Sequence, residues 1–291
     1  MTFSIIVVCL NAGEKLRETI ESIRNQTEHD YEIIVKDGGS TDEVTVRYIK
    51  DNLEGTAVSD GTVKLFTEKD TGIYDAMNQA VQHAQGNYVL FMNCGDSFYD
   101  EHVLEKVREQ IGQTGKKRRT QDAQTMRDSQ TIPRYVFYGN IYEQQTDTLV
   151  QSNPNIDDFA CYRNVPCHQA CFYDAGLLRE KNFDTAYAVR ADYEHFLWCY
   201  YIAHAETVYM PITVALYEGG GFSESRENEK RSQREHREIV GKYMPASMVC
   251  KYRLIMLLTL APLRTWIARN SVTAGFYQTI KRRLIYRKRS V

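Results

Sequence analysis

"NYVLFMNCGDSFYD", residues 87–100, starts as an apolar run of strand length, Tyr88 to Met92, and breaks into a polar turn, Asn93-Cys94-Gly95-Asp96. A short continuous apolar run of this kind suits a strand buried on both faces, as in a parallel sheet covered by helices. The same order of features occurs three times upstream. Phe3 to Cys9 is a continuous apolar run followed by a polar turn, then by Leu16, Ile20 and Ile23 at helical spacing. Tyr31 to Val35 closes on Lys36-Asp37-Gly38-Gly39-Ser40-Thr41-Asp42, where the glycines permit a tight turn and Ser40 or Thr41 is placed to cap the next helix. Val63 to Thr67 precedes a third helix marked by Ile73, Met77, Ala80, Val81 and Ala84 and ended by Gly86.

Strands alternating with helices imply right-handed crossovers and an α/β fold with a Rossmann-like, mostly parallel sheet flanked by helices. Ligands bind such sheets beyond the carboxyl ends of the strands. The polar turns after the four strands therefore share one edge, which brings Asn11, Asp37, Asp70 and Asp96 toward a single crevice. Residues 112–131 are polar and aperiodic and read as a mobile loop. Tyr135 to Ile141 is a strand, Asp192 to Ala203 a helix, and strands lie near Val208 and Val214. A highly charged helix starts at about Arg226.

Of the 291 residues, 43% are hydrophobic and 25% charged, which excludes a fibrous or wholly disordered chain. Seven cysteines without regular spacing point to a reducing compartment, the cytoplasm, rather than to a disulfide framework. The apolar start lacks a basic flank and a small-residue cleavage site and is expected to be a core strand. From Lys251 onward there are ten Lys and Arg and no Asp or Glu, so the body carries −12 against −2 for the whole chain. Body and tail meet different partners. Leu254 to Leu263 is about half the apolar length of a spanning helix and contains Pro262. Basic residues flank it, and Trp266, Phe276, Tyr277 and Tyr286 are interspersed, a pattern suited to an anionic membrane surface. A helical cap on the body is the other reading of this tail. Nucleic acid is disfavoured by the acidic body.

The two glycine-bearing acidic turns, Asp37 to Asp42 and Asn93 to Asp96, suit a nucleotide. One carboxylate takes base or ribose donors, and a second holds a divalent ion against a diphosphate. Mg²⁺ or Mn²⁺ commonly takes only one or two protein carboxylates when phosphates and water complete the octahedron. Taken singly, either turn is equally an Asx turn or a helix cap.

"SIIVVCLNAGEKLRETIESIRNQTEHDYEIIVKDGGSTD" (4–42), "EKDTGIYDAMNQAVQHAQGNYVLFMNCGDSF" (68–98) and "ADYEHFLW" (191–198) resemble the successive motifs of family 2 glycosyltransferases, closest in look to bacterial enzymes of the colanic-acid type. The resemblance implies the GT-A fold and transfer of a sugar from a nucleotide donor. It places Asp37 at the donor base, Asn11 in the first nucleotide-contacting loop, and Asp70, Asp75 and Asn78 around the donor. Asn93 to Asp96 takes the place of the metal-binding D-x-D motif. Its usual leading acids are replaced by Asn93 and Gly95, so Asp96 is the one charged ligand and Asn93 its companion. Asp192 falls at the catalytic base, although Ala191 stands where a preceding acid is common. Glu194 is the rival base, and a plain helix-start acid favoured by the dipole is the other reading of Asp192.

His168 in "PCHQACFY" corresponds to a His-Gln pair of the colanic-like group and is expected near the acceptor. The residues themselves leave open a core histidine, or zinc held with Cys161, Cys167 and Cys171. Gly219 to Ser223 is read as an active-site loop centred on Gly220; it lacks the Lys-Ser/Thr ending of a P-loop. The domains expected are 1–225, the GT-A domain, and 226–291, a helical, basic extension at the membrane surface. The activity implied is sugar transfer to a saccharide or lipid-linked acceptor in surface polysaccharide synthesis. It is inverting and assisted by Mn²⁺ or Mg²⁺, at the inner face of the cell membrane. A non-catalytic nucleotide-sugar-binding protein is the alternative. A sugar-phosphate nucleotidyltransferase is a weaker one, because "CLNAGEKLRE" lacks the glycine- and arginine-rich loop expected after its first strand.

Overall fold

The computed structural model describes residues 1–54, 63–125, 133–219 and 226–259. Four parallel strands, β1 (Phe3–Cys9), β2 (Tyr31–Asp37), β3 (Val63–Thr67) and β4 (Tyr88–Asn93), lie in the order β3-β2-β1-β4. Every residue of β1 and β2 is buried, which is why both read as unbroken apolar runs. Three charges in β2 are exceptions to that pattern, Glu32, Lys36 and Asp37. Glu32 accepts from Ser4 Oγ, the Gln85 backbone and Lys64 Nζ, each at 2.6 Å. Lys36 donates to the Asp37 and Glu68 carbonyls and to Asp70. The register pairs Cys9 with Asp37, Asp37 with Thr67 and Val8 with Asn93, so the four carboxyl ends are level.

Helices α1 (Glu14–Arg24), α2 (Glu43–Asn52) and α3 (Ile73–Val81) link these strands. Two local expectations change here. The cap of α2 is Asp42, which accepts from the Thr45 N–H at 2.9 Å, because Ser40 is turned back onto Asp37. Helix α3 stops at Val81, before Gly86. A side chain at Gly86 would meet the Phe3 and Ser4 backbone at 2.6 Å, so that glycine serves a close approach to β1 rather than a helix end.

Beyond β4 the sheet turns antiparallel through β8 (Cys171–Asp174) and β6 (Tyr135–Glu143). It then runs to β9 (Glu206–Tyr217), parallel to β6, and β5 (Ser97–Phe98), with β7 (Thr148–Val150) hairpinned on β6. The strands expected near Val208 and Val214 are one strand, β9, whose register with β6 shifts around Pro211. Proline has no N–H to give the ladder, and Gly139 opposite admits the Ile212 carbonyl.

The stretch 112–131 is not a loop over its first part: α4 (Val103–Thr125) carries it as helix as far as Thr125, and 126–131 lie outside the described residues. Val103, Leu104 and Val107 are fully buried and anchor the helix. The Lys, Arg and Gln that follow are good helix formers that need no core face. The remaining helices are α5 (Asp158–Arg163), α6 (Ala175–Glu180), α7 (Ala191–Tyr201), α8 (Arg226–Tyr243) and α9 (Ala246–Leu258). The chain divides into two compact units, Met1–Ile239, which holds the sheet, and Val240–Val291. Among the described residues no helix is long and apolar enough to cross a membrane. Pro262, Trp266, Phe276, Tyr277 and Tyr286 lie outside them.

Candidate active site

The turns after β1 and β2 are built into each other. Asn11, at φ 52°, accepts the Thr41 and Asp42 N–H groups on its Oδ1 at 2.8 and 3.1 Å, and its own N–H donates to Ser40 Oγ at 2.8 Å. Asparagine tolerates this left-handed backbone better than most residues. Asp37 is 3% exposed and accepts from Ser40 Oγ at 2.5 Å and from the Gly39 and Ser40 N–H groups. Asp70 is drawn in by Lys36 at 3.2 Å and approaches so closely that a side chain at Gly38 would meet its Oδ2 at 2.7 Å. Asp75 sits in the first turn of α3, where the Thr71 backbone and hydroxyl hold its carboxyl below its usual range. Asn78 pairs both ways with the Phe183 backbone at 2.9 Å, tying α3 to the segment before α7.

The turn after β4 is pinned to α1. The Thr19 hydroxyl accepts the Gly95 N–H at 3.0 Å and donates to the Asp96 carbonyl at 2.8 Å. Gly95 has φ 99°, and a side chain there would meet Glu218 Oε2 at 2.5 Å, so this position is glycine for two reasons. Asp96 accepts from Gln169 Nε2 at 3.0 Å and from the Glu218 N–H at 3.3 Å. Burial pushes its carboxyl up from the ordinary value against those two hydrogen bonds. Glu218 also pairs with Lys15 at 2.6 Å, linking the end of β9 to the start of α1.

Asp192 lies in the first turn of α7 with its side chain 23% exposed. Its Oδ1 accepts from the Tyr74 hydroxyl at 2.8 Å, and its Oδ2 lies 3.3 Å from His168 Nδ1. Burial works to raise its carboxyl, but the His168 hydrogen bond and charge, with the Tyr74 hydroxyl, hold it below the usual carboxylate range. His168 Nε2 is 3.2 Å from Asn93 Nδ2. One polar chain therefore runs Asn93–His168–Asp192–Tyr74. Glu194 is fully buried against Lys181, which removes it from the crevice.

Asn93, Asp96, His168 and Asp192 line one cavity of about 320 Å³, together with Gln169 and Glu218. A second cavity of about 600 Å³ shares Cys167, Val189 and Asp192 with the first. Asn11, Asp37 and Asp70 form the adjoining network on the same sheet edge, while Asp75 lines a separate hollow with Thr71 and Arg231. Gly220 lies outside the described residues.

The oxygens near Asp96 fit a divalent cation in part. Asn93 Oδ1 is buried with no hydrogen-bond partner among the described residues, and the Asp96 and Glu218 carboxylates flank the same turn. These are hard ligands of the kind Mg²⁺ and Mn²⁺ take. Among the described residues no group of three or more His, Cys, Asp and Glu is gathered for a metal, so an ion held here would take the rest of its shell from phosphate oxygens and water. Cys161, Cys167, His168 and Cys171 form no such group either. Burial pushes the Cys161 and Cys167 thiols up to about 12, so without an ion both stay protonated.

Sequence reading did not single out Tyr74 or Glu218, while Gln169 belongs to the His-Gln pair it did mark. Glu218 directly precedes the glycine run, a signal that pointed to the right place, whereas nothing local marks Tyr74.

Residues 4–162 match the family model Glycosyl transferase family 2. A PGL/p-HBAD biosynthesis glycosyltransferase of Mycobacterium bovis (strain BCG / Pasteur 1173P2) is 32% identical over 76% of this chain and 78% of the relative. Among solved structures, S. aureus TarS 1-349 in complex with UDP superposes with a TM-score of 0.63 at 15% identity, covering 92% of this chain and 78% of that one. In another structure of the same fragment this chain spans 65% of the length. The mannosyltransferase PcManGT from Pyrobaculum calidifontis, in complex with GDP-Man and Mn²⁺, gives a TM-score of 0.58 at 14% identity over 95% and 83% of the two chains. At these identities the structural likeness establishes the fold, GT-A.

Proposed function

Since this chain belongs to glycosyl transferase family 2, we propose that it moves a sugar from a nucleotide-diphosphate donor, with inversion, to a saccharide or lipid-linked acceptor of a bacterial surface polysaccharide. The observation that carries this reading is the position of Asp192. Its carboxylate is kept ionised by His168 and Tyr74, and the residue lines both cavities.

An inverting transfer needs a base on the acceptor side and stabilisation of the leaving diphosphate on the donor side. Asp192 takes the proton of the acceptor hydroxyl as that oxygen bonds to the anomeric carbon, and the bond from that carbon to the diphosphate oxygen breaks on the opposite face. His168 and Tyr74 orient the carboxylate, and each of its oxygens keeps a lone pair for the incoming proton. The network of Asn11, Asp37 and Asp70 is the proposed nucleoside side, with Asp75 and Asn78 fixing α3 beside it. Asp96, Asn93 and Glu218 would hold Mn²⁺ or Mg²⁺, which when bound neutralises charge on the departing diphosphate.

Asp192→Asn is expected to lower kcat by ~10²–10⁴ while leaving donor affinity intact. Calorimetric titration of a panel of nucleotide sugars, with Mn²⁺ and with chelator, reads the second part. Full activity in Asp192→Asn would overturn the base assignment. Donor binding with neither transfer nor slow hydrolysis would favour the non-catalytic alternative.

The proposed location is the inner face of the cell membrane, reached through the basic stretch after residue 250. Flotation with anionic liposomes tests it: the full chain should float and a protein ending at Cys250 should not.

A further inference from the structure

The second cavity carries a charge pattern that the transfer reaction does not explain. Its walls mix apolar and polar side chains in about equal measure; two guanidinium groups, Arg163 and Arg190, line it, and its one carboxylate is Asp192. Neither arginine forms an ion pair with a carboxylate among the described residues. Arg163 lies 5.9 Å over the Phe159 ring and is exposed. Arg190 lies 5.5 Å over the Tyr193 ring and donates from Nε to Ser232 Oγ at 2.7 Å and to the Ser232 carbonyl at 3.1 Å. Arginine stacked on an aromatic face is held in place with its remaining N–H groups free to meet an anion.

Some arginines elsewhere are taken up by acids, Arg108 by Glu28 and Arg231 by Glu235; what sets Arg163 and Arg190 apart is that both line the hollow onto which Asp192 opens. The two free cations sit in the wall of one hollow, on α5 and immediately before α7, and Asp192 opens onto that same hollow.

We propose that the larger cavity receives an acceptor bearing an anionic group, a phosphate or a carboxylate, and that Arg163 and Arg190 select for it. The proposal rests on Asp192 being the base, since that places the acceptor hydroxyl at this cavity. A carboxylate would come from an acidic sugar of the saccharide, and a phosphate from a sugar joined to its carrier through phosphate. Both present oxygens that a guanidinium binds in bidentate fashion.

Ligand-observed NMR on the full-length protein provides the test, with methyl β-glucuronide, glucose 1-phosphate and the neutral methyl β-glucoside as probes. At least one anionic probe should bind about tenfold more tightly than the neutral one, the worth of one charge-assisted contact. The probe that gains names the source of the anion. Arg163→Gln and Arg190→Gln should each erase the preference. Arg163 is the safer site because its guanidinium makes no hydrogen bond within the described structure, so Arg163→Gln stays informative if Arg190→Gln unfolds. Nucleotide-sugar affinity should be unchanged in Arg163→Gln, which separates this cavity from the donor site. Equal binding of all three probes, or an anionic preference that survives in Arg163→Gln, overturns the proposal. If Asp192→Asn abolishes transfer while the arginine variant changes nothing, the base assignment stands and only the acceptor inference falls.

Discussion

The Tyr74 hydroxyl lies 2.8 Å from Asp192 Oδ1 and 3.0 Å from the Val189 carbonyl, so one side chain of α3 holds both the proposed base and the strand of chain that leads into it. His168 approaches the other carboxylate oxygen, and both contacts favour the charged form of Asp192. Taking either donor away therefore raises the Asp192 carboxyl. Tyr74→Phe and His168→Phe should each move the acid limb of the kcat/KM pH profile to higher pH, His168→Phe the further, because His168 is the largest of the lowering influences. An unshifted acid limb in both variants would dissociate Asp192 from that titration.

At the turn after β4, Gly95→Ala must bring a Cβ to within 2.5 Å of Glu218 Oε2 at φ 99°. The strain costs about 1–3 kcal/mol, and Glu218 with its Lys15 partner must shift. Thermal unfolding should show the loss, and calorimetry should show weaker metal-dependent donor binding. Asp96→Asn is expected to weaken that binding in Mn²⁺ and to change it little with chelator.

Glu235 on α8 is 4% exposed and accepts three successive backbone N–H groups, from Ala188 at 3.1 Å and from Val189 and Arg190 at 3.0 Å. Arg190 at the cap of α7 has no side-chain cap of its own, so Glu235 serves from a neighbouring helix. Glu235→Ala leaves those groups unpaired and should lower Tm by about 5 °C. Because the same segment carries Val189 and leads into Asp192, kcat should fall more than donor affinity.

His195 is fully buried between Tyr173, Phe183 and Trp198, and neither ring nitrogen has a partner among the described residues. Burial lowers its pKa from 6.5 to about 3. Below pH 6.5 the unfolded chain binds a proton that the folded chain refuses, so stability falls with acidification down to about pH 3, by about 1.4 kcal/mol per pH unit at the steepest. His195→Phe should flatten the stability profile across that window and cost little at neutral pH. Denaturant melts at pH 7 and pH 5 measure both effects.

What could be read in the sequence was what is local. The apolar runs of β1 to β4, the periodicity of α1 and α3 and the glycine-bearing turns are each complete within a dozen residues. A parallel sheet requires its carboxyl ends on one edge, and that placed Asn11, Asp37, Asp70 and Asp96 together before any coordinate. The errors were also local. A polar, aperiodic stretch read as loop is helix as far as Thr125, because its anchoring face lies earlier, at Val103 to Val107. Two strands read around Pro211 are one, because a bulge absorbs the missing donor.

The tertiary structure alone decided which groups meet. Tyr74 and Asp192 are 118 residues apart, and Asp96 and Glu218 are 122 apart. No pattern in either neighbourhood announces the other, since a side chain's partner across a fold depends on how separate elements cross and not on its own surroundings. Which of Asp192 and Glu194 faces the crevice is of the same kind: both stand in the first turn of α7, and only packing left one open to a cavity and turned the other onto Lys181.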